Sequence, residues 1–136
     1  PIDEGRISIC MRKIVAIVSL LTLTACNTVA DYVPSFWDDN QSRSIVTAYQ
    51  LAVNVDCDKP TQPQAKAIQY ELQWFELYSR SKGMLQKDVL NLIEPMQKTV
   101  NEWAEKDKSS PAYCKLKKQI VVKQGETASK AVLGRF

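Results

Sequence analysis

The chain has 136 residues, 45% of them hydrophobic and 24% charged, with a formal net charge of +3 and no histidine. That length suits one small domain. A charge so close to balance argues against a nucleic-acid surface, and the lack of histidine removes the commonest general acid/base and the commonest transition-metal ligand.

Residues 1–10 precede Met11 and contain Asp3, Glu4 and Arg6, which no export signal requires. They read as translated sequence upstream of the real start. Met11-Arg12-Lys13 then gives a short basic opening, Ile14 to Ala25 an apolar run, and Cys26-Asn27 a break. A basic start, an apolar core and small residues before the break mark a cleavable secretory segment. A membrane-spanning helix needs about 20 apolar residues, and this run is too short.

The end of the run, Leu23-Thr24-Ala25-Cys26, resembles the lipobox of bacterial lipoproteins. The resemblance covers Met11 to Cys26 and implies cleavage before Cys26, whose thiol is lipidated with acyl chains such as palmitate. In that family an aspartate after the cysteine favours retention in the inner membrane. Asn27 stands there instead, so the resemblance implies the outer membrane, on the leaflet facing the periplasm. Cleavage after residue 25 of the 136 leaves 111, and it removes three basic and two acidic side chains, leaving a net charge of +2. Two or more acyl chains anchor stably, at roughly 0.8 kcal/mol per buried methylene. Residues 26–34 are short, mixed and without period, and read as a tether to a domain at 35–136.

Four helices are predicted in that domain. The first starts near Ser35, with Asp38 and Asp39 favourable in its first turn, and carries Ile45, Tyr49, Ala52 and Val53 on one face. Asp56 to Pro60 ends it. Thr61 and Pro63 open the second, which runs through Ala65, Ile68, Leu72 and Phe75 to Gly83, a C′ residue. The third follows Leu85, Val89, Leu92, Ile93, Met96, Val100 and Trp103, kinked at Pro95. Ser110-Pro111 caps and opens the fourth, with Tyr113, Leu116, Ile120, Ala128 and Ala131 as its stripe and Gly125 as a possible division. No segment alternates long enough for a strand; Ile120-Val121-Val122 is a β-branched run flanked by lysines. The fold class is all-α, a small four-helix up-down bundle.

The cysteines bear on that topology. With Cys10 outside the product and Cys26 acylated, Cys57 and Cys114 remain, and an oxidising compartment favours their disulfide. Its loop is worth about 4 kcal/mol in the chain-entropy model. No C-x-x-C spacing supports a redox-active pair. In an up-down bundle the first helix ends at the pole where the fourth begins, which places Cys57 beside Cys114.

The second helix is apolar around most of its circumference: Tyr70, Trp74 and Leu77 lie roughly opposite Ile68, Leu72 and Phe75. Such a helix is central or covers a partner. Either the segment with Phe36 and Trp37 folds over Tyr70, Trp74 and Leu77, or those five residues form a partner surface, since tyrosine and tryptophan are frequent interface anchors. Glu71, Glu76, Glu94, Glu102 and Glu105 alternate with lysines as solvated surface, and Lys115, Lys117 and Lys118 read as a solvated face. There is no nucleophile elbow, phosphate-binding glycine loop or metal-ligand cluster. The expectation is a non-enzymatic, cofactor-free interaction module, anchored to the membrane by its lipid and binding an envelope protein, of the exclusion or receptor-blocking type. The alternatives are a carrier holding an apolar ligand near Pro95 and Met96, which requires an interior cavity, and a structural or lytic envelope component.

Overall fold

The computed structural model describes residues 36–83 and 86–135. The signal segment, Cys26, the tether and Ser35 lie outside the described residues, as does Leu85. Four helices are formed: α1 (Asp39–Val53), α2 (Thr61–Ser81), α3 (Lys87–Ala104) and α4 (Pro111–Leu133). Each packs on its neighbours in sequence, and α1 also packs on α4. Connections as short as 54–60, 82–86 and 105–110 make successive helices antiparallel, so the four close an up-down bundle. Among the described residues there is no strand.

The ends of the helices follow local chemistry. Asp38, extended at φ −148° and ψ 125°, accepts the Gln41 N–H on its side chain at 2.9 Å and is the N-cap of α1. The start is therefore not near Ser35: residues 36–38 are non-helical, and Asp38 outcompetes its neighbours as a cap because its carboxylate meets an orphan N–H. Gly83 terminates α2 with φ +100°, a conformation that favours glycine, and its N–H reaches the Arg80 carbonyl at 3.2 Å. Ser110 Oγ accepts the Tyr113 N–H at 3.2 Å, and Pro111 occupies the first turn of α4. Gln64 holds the α1–α2 connection, accepting the Asp56 N–H at 2.8 Å and donating to the Asp56 and Pro60 carbonyls at 2.9 Å.

The core is built from Ile45, Ile68, Phe75, Ile93, Met96 and Trp103, all fully enclosed. Burial of each such side chain stabilises by about 1.5–3 kcal/mol. α3 follows its predicted stripe from Val89 to Trp103 and passes through Pro95, which lies exposed on the outer face. The proline's missing N–H therefore leaves the Asn91 carbonyl without its helix donor on the exposed side of α3.

Two stripes differ from expectation. In α1 the inner face runs Gln41, Ser44, Ile45, Ala48 and Ala52, while Val53 is exposed. Periodicity of apolar residues alone misses this, because Gln41 and Ser44 occupy core positions with their hydrogen bonds satisfied, and Ser42 is buried beside them. In α4 the inner face runs Cys114, Val121, Gly125, Ala128 and Val132, with Leu116 and Ile120 turned outward and Tyr113 half-buried. Cys114 is held inward by its disulfide, which sets the rotation of the helix. Gly125 does not divide α4. A Cβ there would lie 3.0 Å from Tyr49 Cδ2 and 3.2 Å from Met96 Cε, so the glycine lets α1 and α3 side chains approach the α4 backbone.

The two poles are closed by different means. At one, Cys57 and Cys114 form a disulfide with Cα atoms 5.7 Å apart. Beside it Lys118 Nζ donates to the Val55 carbonyl at 2.7 Å, and Lys117 pairs with Glu102 at 2.8 Å. At the other, fully buried Gln41 donates from Nε2 to Ser79 Oγ at 2.8 Å and to Gln86 Oε1 at 2.7 Å. Its Oε1 accepts from Arg135 Nη2 at 3.1 Å. One side chain of α1 thereby ties together the end of α2, the entry to α3 and the exit from α4.

Candidate protein-interaction surface

The outer side of α2 carries Tyr70, Trp74 and Leu77 because Ile68, Leu72, Phe75 and Ser79 use the inner side. Spacings of three and four residues put the three on one strip. Tyr70 is 66% exposed, Trp74 40% and Leu77 68%, and in the segment before α1 Phe36 is 72% exposed and Trp37 47%. So Phe36 and Trp37 stand in solvent themselves, and the strip remains open.

Tyr70 and Trp74 form one wall of a groove of about 340 Å³ between α1 and α2, with Asn40, Arg43 and Thr47 on the α1 side and Ser44 and Glu71 at its base. Leu77, Phe36 and Trp37 are not part of its lining. The groove is rigid on its aromatic side. Trp74 stacks on Tyr78 with ring centroids 5.0 Å apart and planes 7° from parallel. Tyr78 in turn donates its hydroxyl to Asp38 at 3.3 Å and accepts from Asn40 Nδ2 at 3.0 Å. A stacked ring anchored at its far end has little rotamer freedom to lose when something docks on it.

Electrostatics add direction. Ser44 Oγ donates to the Glu71 carbonyl at 3.1 Å and to its carboxylate at 3.3 Å, which fixes Glu71 at the helix junction. Among the described residues no carboxylate pairs with Arg43, which lines the α1 side of the groove whose α2 side carries Tyr70 and Trp74. The Asp38 carboxyl beneath Tyr78 is pulled two ways. Burial would raise its pKa, but hydrogen bonds from Lys82, the Gln41 N–H and Tyr78, with the charge of Lys82, hold it below the ordinary value of 3.8. Glu76, on the opposite flank of α2, is held down by its bond from Arg80 and then by one from Gln97 of α3.

Sequence reading picked the α2 side of this groove and missed the α1 side. Asn40, Arg43 and Thr47 follow a three-to-four-residue spacing on the polar face of α1, a pattern that ordinary solvated helices share. Only the packing of α1 on α2 gives it meaning. Cys57 and Cys114 lie at the far pole from α1's start, and Cys26 lies outside the described residues.

Pro95 and Met96 do not line a groove of this kind: Pro95 is exposed, while Met96 is enclosed with its methyl packed toward Gly125. Among the described residues no group of three or more His, Cys, Asp or Glu could hold a metal ion, and no helix is long and apolar enough to cross a membrane. No protein-family model, curated protein or solved structure matches the chain.

Proposed function

We propose that the chain is a lipid-anchored protein of the bacterial cell envelope whose helical domain is a non-enzymatic protein-interaction module, and that a periplasm-facing partner docks in the α1–α2 groove. The observation that carries this reading is an open, pre-formed wall of Tyr70 and Trp74 beside the guanidinium of Arg43. Tyrosine, tryptophan and arginine are the residue types that dominate interface energetics, and they do so where they are rigid and clustered. The lipobox resemblance at Leu23 to Cys26 supplies the anchor. Confinement to a membrane raises the effective concentration of a weak module near a partner in the same envelope, so modest groove affinity is sufficient. An apolar-ligand carrier needs an interior cavity, and the enclosed Met96 counts against one at that position.

The test is crosslinking in intact cells followed by purification of the full-length protein, comparing wild type with the Tyr70→Ala/Trp74→Ala variant. One envelope protein recovered by wild type and lost in the variant supports the reading. No such difference overturns the groove as a partner site. Cys26→Ser separates the anchor from the groove: it is expected to release a folded domain and abolish action in the cell.

A further inference from the structure

Every large apolar side chain left in solvent away from the α1–α2 groove raises the question of what covers it, and the pole where α1 begins collects three. Phe36 and Trp37 stand exposed just before Asp38, and Leu133, the last residue of α4, is 48% exposed. That the two ends meet at one pole follows from the bond between Arg135 and Gln41. Arg80 and Lys82, at the same end where α2 stops, are paired with Glu76 and Asp38, and Asp39 is exposed beside them, so the pole is mixed in charge. The loops of the opposite pole expose Asp58, Lys59, Glu105, Lys106, Asp107 and Lys108.

We infer that the Phe36/Trp37 pole rests in the interfacial zone of the bilayer that holds the lipid on Cys26. This rests on the lipidation proposed above. Residues 27–35 extend at most roughly 30 Å at about 3.3 Å per residue, and they enter the domain at Phe36. α4, with 23 residues, is about 35 Å long at 1.5 Å per residue. A tether of that length keeps the entry pole within roughly 30 Å of the membrane, and seating Phe36 and Trp37 in the bilayer boundary is what directs the disulfide pole away from it. Phenylalanine and tryptophan partition into the headgroup boundary of a bilayer. The occupant of this pole is therefore a phospholipid surface. With the bundle standing on that pole, the α1–α2 groove runs up its side and opens parallel to the membrane plane, toward a neighbour in the same envelope.

The experiment uses the full chain, exported and processed in a bacterial host, purified and reconstituted into vesicles of phosphatidylethanolamine and phosphatidylglycerol brominated high on the acyl chain. Two readouts are taken. Flotation with the vesicles reports the anchor, and bromine quenching of tryptophan fluorescence reports the docked pole. Trp103 is fully buried and Trp74 lies in the groove, so both remain as background in Trp37→Phe. The expected result is flotation lost in Cys26→Ser, together with quenching in wild type that is lost in Trp37→Phe. Flotation that survives Cys26→Ser overturns the anchor, and the docked orientation with it. Cys26-dependent flotation with equal quenching in wild type and Trp37→Phe leaves the anchor standing and overturns the docking. A Trp37 unquenched by lipid but crosslinked to protein in cells also overturns it, and assigns the pole to a protein partner.

Discussion

The two ends of the bundle solve the same packing problem with opposite chemistry. At the far end a covalent bond joins the α1–α2 connection to the first turn of α4, and the surrounding loops show water mostly charge. At the near end no covalent bond is present among the described residues; a buried glutamine ties the helices together, while aromatic and aliphatic side chains remain outside. A disulfide acts largely by restricting the unfolded chain and makes few demands on its neighbours in the fold. A buried polar network acts only while every member is satisfied. The far pole is thus insensitive to its surface and the near pole is sensitive to it. That is a reasonable division if the near pole is the one that meets other molecules.

The comparison breaks first at the covalent end. Cys57→Ala/Cys114→Ala is expected to lose about 4 kcal/mol, the value for a closed loop with a sequence separation of 57. For a domain of this size that is a fall in Tm of roughly 15–30 °C. Calorimetry of the oxidised wild type against the variant decides it, and an unchanged Tm would remove the disulfide from the account. Next in size is Gln41→Leu, which keeps the volume but strands Ser79, Gln86 and one donor of Arg135. Unsatisfied buried groups of this kind cost about 1–3 kcal/mol in total stability. Chemical denaturation would read the loss; a variant as stable as wild type would mean that the near pole is held by packing alone.

Smaller, but diagnostic in its pH dependence, is Asp38. As the N-cap of α1 its replacement by alanine is expected to cost about 1–2 kcal/mol at neutral pH. Its folded pKa lies below the ordinary value of 3.8, so the folded state prefers the ionised carboxylate more than the unfolded chain does. That contribution is complete above pH 4 and disappears as pH falls through the folded pKa. The wild type is therefore expected to lose stability on acidification below pH 4, and Asp38→Ala to show a shallower acid limb. Parallel limbs in the two proteins would assign the acid sensitivity elsewhere.

The same contrast explains what the sequence made legible. Helix number and order, the N-cap of α4, the C′ glycine of α2 and the disulfide all depend on local signals, and these are written in Ser110-Pro111, Gly83, Cys57 and Cys114. The rotations of α1 and α4 were less accessible. Gln41, Ser44, Cys114 and Gly125 occupy inner positions for reasons that exist only once the neighbours are present: a hydrogen-bond network, a cross-link and the close approach of Tyr49. The hydrophobic period is right at Ile45 and Ala52 in α1 and at Ala128 in α4, and wrong at Val53, Leu116 and Ile120, where it scores larger side chains that the packing leaves outside. For the groove, an aromatic strip on α2 stood out in the sequence as an excess of apolar surface. Arg43 did not, because nothing distinguishes a lone arginine on a polar helix face until a second helix lies alongside it.

The smallest effect on stability is the one that bears most on function. Tyr70 is mostly exposed and makes no hydrogen bond among the described residues, so Tyr70→Ala is expected to change stability by no more than about 0.5 kcal/mol. Trp74→Ala removes the stack on Tyr78 as well, and aromatic pairs contribute about 0.5–1.5 kcal/mol beyond burial. The ordering of the two variants is therefore a check on the geometry: Trp74→Ala should melt lower than Tyr70→Ala, and both should retain the helical spectrum of wild type. Loss of a partner contact in Tyr70→Ala would then reflect the groove surface, since its fold is intact. If Tyr70→Ala instead melted as low as Trp74→Ala, Tyr70 would be supporting the bundle, and the open wall of the groove would have to be redrawn without it.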